Sequence, residues 1–369
     1  MKKVVIIFCK CFPMLLCLLF FGTSVILAHG EEVQIGVQAI FPENQRNREV
    51  GFFDLVLERG ATQVIELEIS NLSQDKSIVV LIEGAAATTD NGGVVHYVPR
   101  QGEGVERGGS RLPFSFEELV TVSDSIELKP GEVRIVPITI QMPDVPFDGV
   151  IAGGFGIRQE IDLDAAREEA GLILNLFNFE MPVLLRQNEN VVQPQLQILE
   201  VSASQWNLRN IIAVHLENPQ MMFINLMEIQ AYVKEEATHQ VLYEHHVTGF
   251  QVAPNSDFVF GIPLNGELFT EGNYILEMEV MARNGAWSFT EHFTIESSQA
   301  ESLNRIAAVE EMIQGERVGS YNRVVLLLMV SGTVMAVMIY IFIVHYEKRK
   351  HKEVREATVK KILQEIEEG

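Results

Sequence analysis

The chain has 369 residues, 47% hydrophobic and 21% charged, so it is not a disordered polymer and is long enough for two ordinary domains. Its formal charge of -22 disfavours contact with the phosphates of a nucleic acid, and we expect no nucleic acid among its partners. The only cysteines are Cys9, Cys11 and Cys17, which excludes a disulfide scaffold beyond the N-terminal segment.

Residues 1–30 have the pattern of a secretory signal peptide. Three lysines flank or precede an apolar run at 11–27, and small residues lie three and one positions before Glu31. We therefore expect cleavage after Gly30. A lipid anchor on Cys17 is the weaker alternative, because Leu16 stands where lipid-modification motifs require a small residue.

A second apolar run, at 324–344, contains 21 residues and no charge. At 1.5 Å per residue, a helix of this length crosses a hydrocarbon core of about 30 Å. Four basic residues follow it at 348–352, whereas only Arg323 lies close before it. The positive-inside rule then predicts a single-pass membrane protein with an extracellular N-terminal ectodomain and a cytoplasmic tail at 345–369.

The negative charge is concentrated in the predicted ectodomain. With +3 in residues 1–30, none in 324–344 and +1 in 345–369, residues 31–323 carry -26. An acidic, cysteine-free ectodomain on one membrane anchor fits a bacterial cell membrane better than a eukaryotic surface, where export normally brings disulfides.

Residues 31–160 alternate short apolar–polar stretches with Gly, Asn and Pro, which is typical of half-buried strands. The spacing of these strands predicts a sandwich of antiparallel sheets. An acidic stretch at 161–170 is the predicted linker. The candidate strands lie at 33–40, 63–69, 77–82, 133–140 and 150–157.

Residues 171–297 contain a second series of strands and predict an immunoglobulin-like sandwich. Apolar residues at helical spacing in 298–323 predict a juxtamembrane stalk. The predicted fold class is therefore all-β, with two tandem immunoglobulin-like sandwiches, a helical stalk and one C-terminal transmembrane helix. The second series of candidate strands lies at 172–186, 196–201, 211–216, 228–233, 241–247, 258–262, 274–281 and 288–295.

No catalytic motif is present: the mature sequence has no nucleophile elbow, no phosphate-binding glycine loop and no metalloprotease helix motif. Acidic residues at 162–169 lack the spacing of an EF-hand loop. We expect no catalytic residue, no metal and no cofactor, although a carboxylate pair for glycan cleavage would leave no trace in spacing. Five histidines also lack ligand spacing: His215, His239, His245, His246 and His292.

Aromatic residues allow two interpretations. Trp206 and Trp287 either fill the core of the second sandwich or stack on a ligand, and core packing is the commoner role. Phe52, Phe53 and Tyr97 lie near polar loops and either pack internally or stack on sugar rings. Tyr97 is the best ligand candidate of these three.

Several short sequence motifs, together with their order and spacing, resemble those of the WxL-interacting protein family. In the first sandwich they are FPENQ at 41–45, GFFDL at 51–55, ATTDNG at 87–92, Met142 with Pro143, and FDGVIAGG at 147–154, and these resemble its peptidoglycan-binding domain. In the second they are LENP at 216–219, APNSDF at 253–258, GNY at 272–274 and WSFT at 287–290, and these resemble its host-binding domain. The resemblance covers about residues 33–300 and the C-terminal span.

This resemblance implies a Gram-positive cell-surface protein that binds WxL-domain proteins, peptidoglycan and host extracellular proteins, without catalysis. If the first domain holds peptidoglycan, Asn44, Gln45, Tyr97 and Asp148 are the candidate ligand-binding residues. The polar residues among them could equally build turns.

Charge alone cannot drive wall binding, because Gram-positive walls are polyanionic and the ectodomain carries -26. We therefore hypothesise recognition of a protein partner, by addition of a strand to a sheet edge. Two other classes remain open: a wall glycan hydrolase with an unrecognised carboxylate pair, and a transmembrane sensor that signals through residues 345–369.

Overall fold

The computed structural model describes the backbone at residues 35–97, 115–161 and 178–367, and the side chains there except at 308–328 and 361–367. The predicted signal peptide at 1–30, the acidic residues at 162–169 and most of the predicted linker lie outside the described residues.

The first sandwich consists of two facing sheets, one in the order β1-β3-β9-β7 and one in the order β2-β11-β10-β4-β8, with a separate β5-β6 hairpin. All neighbouring strands pair antiparallel except β2 and β11, which are parallel. The strands are β1 Ile35–Ile40, β2 Phe53–Val56, β3 Thr62–Asn71, β4 Ile78–Ala86, β5 Thr88–Thr89, β6 Val95–His96, β7 Val120–Thr121, β8 Ser125–Leu128, β9 Val133–Gln141, β10 Ile151–Gln159 and β11 Asn178–Arg186, and a short helix, α1 Phe116–Leu119, precedes β7.

Strand alternation builds the core of the first sandwich. On β3, Ile65, Leu67 and Ile69 are fully buried, whereas Val64 is 51% exposed, so this strand has one buried face. The buried residues of β3 pack in one cluster with Phe53 and Phe155 from the facing sheet. The five strands predicted for this region are confirmed.

The predicted strand at 172–186 was assigned to the wrong sandwich. In its described part, β11 pairs with β10, with Leu185 opposite Ile151, and with β2, with Val183 opposite Phe53. Its buried residues Met181, Val183 and Leu185 belong to the first core. Periodicity identifies a strand but not its partner, so the pairing that closes the first sandwich was not visible in the sequence.

The second sandwich packs a sheet in the order β12-β13-β16 on a sheet in the order β15-β14-β17-β18. Its core contains Val214, Ile229, Phe260 and Leu276. The strands are β12 Gln197–Trp206, β13 Arg209–Asn218, β14 Ile224–Glu235, β15 Val241–Val252, β16 Ser256–Pro263, β17 Gly272–Ala282 and β18 Gly285–Ile295, which confirms the seven remaining predicted strands.

The two tryptophans have different environments. Trp287 packs against the second core, whereas Trp206 lies at the end of β12 with 45% of its surface exposed. Core packing is therefore confirmed for Trp287 but not for Trp206.

One helix, α2 Ser297–Glu367, follows β18. Its first turns are fixed to the second sandwich, because Asn304 accepts from the Phe269 N–H at 2.8 Å and donates to the Phe269 oxygen at 2.9 Å. Ala300 is buried there. Within the described chain, the stretch Met329–Lys360 of α2 is the one helix long and apolar enough to cross a membrane, by length and composition.

Candidate functional site

Gln45 is buried in the loop between β1 and β2 and its side chain holds that loop in place. Its Nε2 donates to the backbone oxygens of Asn47 and Phe52, at 2.8 and 2.9 Å. Its Oε1 accepts from the Asp54 N–H at 3.1 Å. Both amide hydrogens are thus used within the chain, so turn building explains this residue.

Asn44, by contrast, is exposed at the surface of the same loop. It exchanges two amide hydrogen bonds of 2.9 Å with Gln63 on β3. It also donates to the Val56 oxygen at 3.3 Å. The amide of Asn44 is thus engaged within the chain, as that of Gln45 is, but Asn44 is exposed, so a sugar amide or a peptide group could replace these contacts.

Asp148 lies in the exposed loop before β10. Its Oδ1 accepts from the Nδ2 atoms of Asn190 and Asn188, each at 2.9 Å, in the segment that follows β11. These two hydrogen bonds lower the pKa of Asp148, so its carboxylate is charged at neutral pH. The arrangement joins two loops and keeps an anionic group at the surface.

An ion-pair network, buried at Asp54 and Arg186 and exposed at its outer end, lies beside these loops. Asp54 on β2 is nearly inaccessible and is paired with Arg186 at the end of β11. Arg46 lies 3.4 Å from the other Asp54 oxygen and donates to Glu189 at 2.8 Å. Burial lowers the pKa of Arg186 despite the opposing charge of Asp54. The network joins the loop after β1 to the segment after β11.

Tyr97 follows β6 and is partly buried. Its backbone N–H donates to Glu180 Oε2 at 2.9 Å. Burial, and then the charge of Glu180, raises the pKa of the Tyr97 hydroxyl to about 12. The ring packs against a small apolar cluster that includes Leu184 and Phe223, so internal packing is one role of Tyr97, and its role in ligand binding stays a prediction.

The four predicted site residues do not form one site. Asn44 and Gln45 share a loop, Asp148 lies on the loop before β10, and Tyr97 lies beyond the hairpin. Among the described residues, no hydrogen bond joins any two of these four side chains. Asn44 and Asp148 remain as accessible polar groups.

The β5-β6 hairpin forms a joint between the two sandwiches, which sequence reasoning missed. Thr89 Oγ1 accepts from the Ala253 N–H at 2.9 Å and lies 2.9 Å from Ser256 Oγ. Asn91 Oδ1 accepts from the Val259 N–H at 3.2 Å. These contacts fix the hairpin of the first sandwich on the β15-β16 corner of the second.

Two further backbone hydrogen bonds cross the joint. The Gln251 N–H donates to the Gly93 oxygen and the Val150 N–H donates to the Met221 oxygen, each at 2.8 Å. The apolar cluster around them takes residues from both sandwiches: Ala87, Val150, Ala152 and Leu184 from the first, and Phe223 and Ala253 from the second. The motifs at 87–92 and 253–258 form the two sides of this joint, and their contact is a physical reason why both occur in one chain.

His96 connects the hairpin to β11. Its Nε2 lies 3.0 Å from Asp90 and its Nδ1 lies 3.1 Å from Glu180. Burial lowers the pKa of His96, but the hydrogen bonds and charges of Glu180 and Asp90 outweigh burial and raise it above 6.5. The folded state therefore favours the imidazolium form.

We expect the stability of the chain to fall as the pH rises from about 6.5 through the raised pKa of His96. Below 6.5 the ring is protonated in the folded and unfolded states and the two ion pairs are intact. Unfolding by denaturant at several pH values would measure this for the wild type and for His96→Gln. Parallel pH profiles for the two proteins would contradict the prediction.

Comparison with protein families gives two matches that follow each other along the chain. Residues 36–159 match the WxL Interacting Protein peptidoglycan binding domain, and residues 168–305 match the WxL Interacting Protein host binding domain. The chain belongs to the WxL-interacting protein family. The second match begins before β11, although this strand pairs within the first sandwich.

Solved structures give fold-level similarity alone. The CsuC-CsuE chaperone–tip adhesion subunit complex of Acinetobacter baumannii is 11% identical with a TM-score of 0.30, and the match covers 62% of this chain and 90% of that chain. The CupB2 chaperone of Pseudomonas aeruginosa is 14% identical with a TM-score of 0.27, covering 65% and 97%. The E. coli chaperone DraB is 12% identical with a TM-score of 0.26, covering 71% and 96%. No curated protein matches the chain.

Both family matches describe binding domains, which supports a WxL-interacting protein that acts as a cell-surface binding adaptor. The described residues contain no group of three or more His, Cys, Asp or Glu side chains that could hold a metal ion. The loops around Asn44 and Asp148 present accessible polar groups, and the joint holds the two binding domains together.

Proposed function

We propose that the protein is a non-catalytic, membrane-anchored adaptor that joins a WxL-domain protein to peptidoglycan at the surface of a Gram-positive bacterium. The order of the two family domains on one chain supports this most directly. The joint adds a reason, because hydrogen bonds and an apolar cluster hold the two sandwiches together. A fixed arrangement lets one chain hold two ligands at a set separation.

The membrane topology belongs to the same proposal. Residues 1–30 act as a signal peptide, residues 31–323 lie outside the cell, residues 324–344 cross the membrane and residues 345–369 lie in the cytoplasm. At 1.5 Å per residue, α2 places the second sandwich roughly 30 Å from the bilayer, counted from Asn304 to the start of the span. That spacing favours peptidoglycan and WxL-domain ligands in the inner wall zone, and host extracellular proteins are the further class of partner that the second family domain supports.

The test is cosedimentation of the full-length chain, in detergent, with isolated Gram-positive peptidoglycan, with and without a purified WxL-domain protein. Pelleting with peptidoglycan alone would mean direct glycan or stem-peptide recognition. Pelleting only in the presence of the WxL-domain protein would mean that wall contact passes through that partner. Binding to neither would contradict the adaptor function. Low and physiological salt are compared, because repulsion from a polyanionic wall weakens as salt rises.

If the first sandwich contacts glycan directly, the accessible amide of Asn44 is the residue we propose to test. Asn44→Ala should weaken peptidoglycan binding roughly fivefold, since one hydrogen bond contributes about 1 kcal/mol. Gln74→Ala is the matched control, because Gln74 is also an exposed amide but lies in the turn between β3 and β4. Equal losses in both variants would exclude a specific role for Asn44.

A further inference from the structure

β18 is a long and regular strand at the edge of its sheet. It is the last strand in the order β15-β14-β17-β18. It pairs with β17 along its whole length, from Gly285 opposite Ala282 to Ile295 opposite Gly272, without a bulge. It contains no proline and no lysine. Regular edges of this kind are the ones at which another strand can add.

The direction of its backbone groups follows from the hairpin. Two residues, Arg283 and Asn284, connect β17 to β18, so Ala282 and Gly285 face each other as a hydrogen-bonded pair. Alternate residues from Gly285 onward then bond to β17, and the even-numbered residues 286–294 direct their N–H and C=O groups to the free side. Within the described part of the chain, no other strand hydrogen-bonds to these groups, although β12 of the facing sheet lies near β18.

The other edges of the second sandwich are covered or irregular. The Val259 N–H of β16 donates to Asn91, and the Ala203 oxygen of β12 accepts from Gln299 of α2. β15 is interrupted by three register shifts against β14, and β12 has one between Ile198 and Glu200. Bulges of this kind disfavour pairing with another chain.

Edges in the first sandwich are shorter. β7 has 2 residues and β8 has 4. The edge of β2 is occupied, because the Asp54 oxygen accepts from the Arg46 N–H and the Asp54 N–H donates to Gln45. β1 has 6 residues, against 11 in β18. β18 is therefore the longest described edge strand that pairs with its neighbour without a register shift.

The side chains of β18 indicate what kind of strand would fit. On the inner face, Trp287 and Phe289 are only half-buried against the core, so apolar residues from an added strand would complete their burial. On the outer face, Ser288 bonds to Glu279 at 2.5 Å and His292 to Glu236 at 2.8 Å. This acidic outer surface favours basic residues on the added strand.

We propose that β18 is the docking edge for the WxL-domain partner, which adds one extended strand with apolar residues facing the core and basic residues facing solvent. This rests on the proposed function, since it assigns the place at which the adaptor binds its protein partner. Backbone hydrogen bonds to residues 286–294 supply affinity, and the alternating side chains supply specificity.

The test compares the affinity of full-length Thr290→Pro and Thr290→Val, in detergent, for a purified WxL-domain protein. Proline removes the outward N–H of an exposed edge residue and leaves the pairing to β17 intact, whereas valine keeps that N–H. We expect Thr290→Pro to weaken binding at least about tenfold and Thr290→Val to stay within about twofold of wild type. Circular dichroism checks that each variant is folded.

A third variant, Thr290→Lys, keeps the backbone hydrogen bonds and adds a charge where the proposal places basic residues of the partner. It should weaken binding about threefold through like-charge repulsion, and it decides the matter if Thr290→Pro does not fold. Wild-type affinity in both Thr290→Pro and Thr290→Lys would overturn the β18 assignment alone. Absence of binding by the wild-type chain would instead overturn the adaptor function, and the β18 assignment with it.

Discussion

Arg186→Met is expected to lower the free energy of unfolding by about 3 kcal/mol, because it leaves the carboxylate of Asp54 buried without its main partner. The Asp54 side chain is 8% exposed and that of Arg186 is 17% exposed, so water cannot replace the lost contact. Arg46 at 3.4 Å compensates in part, which places the loss at the lower end of the range for broken buried pairs. Unfolding in urea measures it.

The matched control is Arg59→Met. Arg59 and Asp144 lie 4.0 Å apart with side chains 58% and 93% exposed, so their ion pair should contribute little. The double variant Asp54→Leu with Arg186→Met should recover much of the loss, since no charge then remains buried. If Arg186→Met and Arg59→Met destabilise the chain equally, the network has no structural role.

This network shows how far the sequence could lead at the candidate site. The motifs at 41–45 and 51–55 indicated that these loops have a specific role, and the side-chain amides in them indicated ligand binding. The structure instead uses Gln45 to fix the loop, and only Asn44 stays accessible. Composition cannot distinguish an amide that binds its own backbone from one that binds a ligand, because both occur in polar loops.

The fold was more predictable than the partners of its strands. β9 was identified because its buried apolar residues recur at period two. β10 was identified because its buried residues form a continuous run. The same reasoning found β11 but not its place, which depends on Val183 meeting Phe53 across 130 residues of chain. Core packing is not found for Trp206 for a related reason, since the exposure of a residue at a strand end depends on where the hairpin turns.

The joint between the sandwiches was not predicted, although motifs on both of its sides resemble those of the family. Thr89 and Asn91 on one side bond to backbone groups at Ala253 and Val259 on the other. Small polar residues near glycine normally indicate turns, and Asn91 does lie in the turn of the β5-β6 hairpin, whereas Thr89 lies on β5. Their second role, contact between domains, depends on tertiary geometry.

Gly93→Ala is expected to lower the free energy of unfolding by about 3 kcal/mol and to loosen the joint. Gly93 has a φ of +73°, where a side chain costs about 1–2 kcal/mol, and an added Cβ would overlap the Cγ of Phe250. Relief of that overlap in packed surroundings costs about 1–3 kcal/mol more. The Gly93 oxygen also accepts from the Gln251 N–H, so a shift here weakens a bond between the sandwiches.

Gly131→Ala separates the two contributions. Gly131 has a φ of +68°, but nothing lies within 4 Å of an added Cβ, so only the backbone cost of about 1 kcal/mol remains. Urea unfolding gives the stability difference, and hydrogen exchange at Gln251 reports on the joint. We expect faster exchange at Gln251 in Gly93→Ala and unchanged exchange in Gly131→Ala. Equal exchange in both variants would mean that the hairpin does not hold the second sandwich, and that the two domains reach their ligands independently.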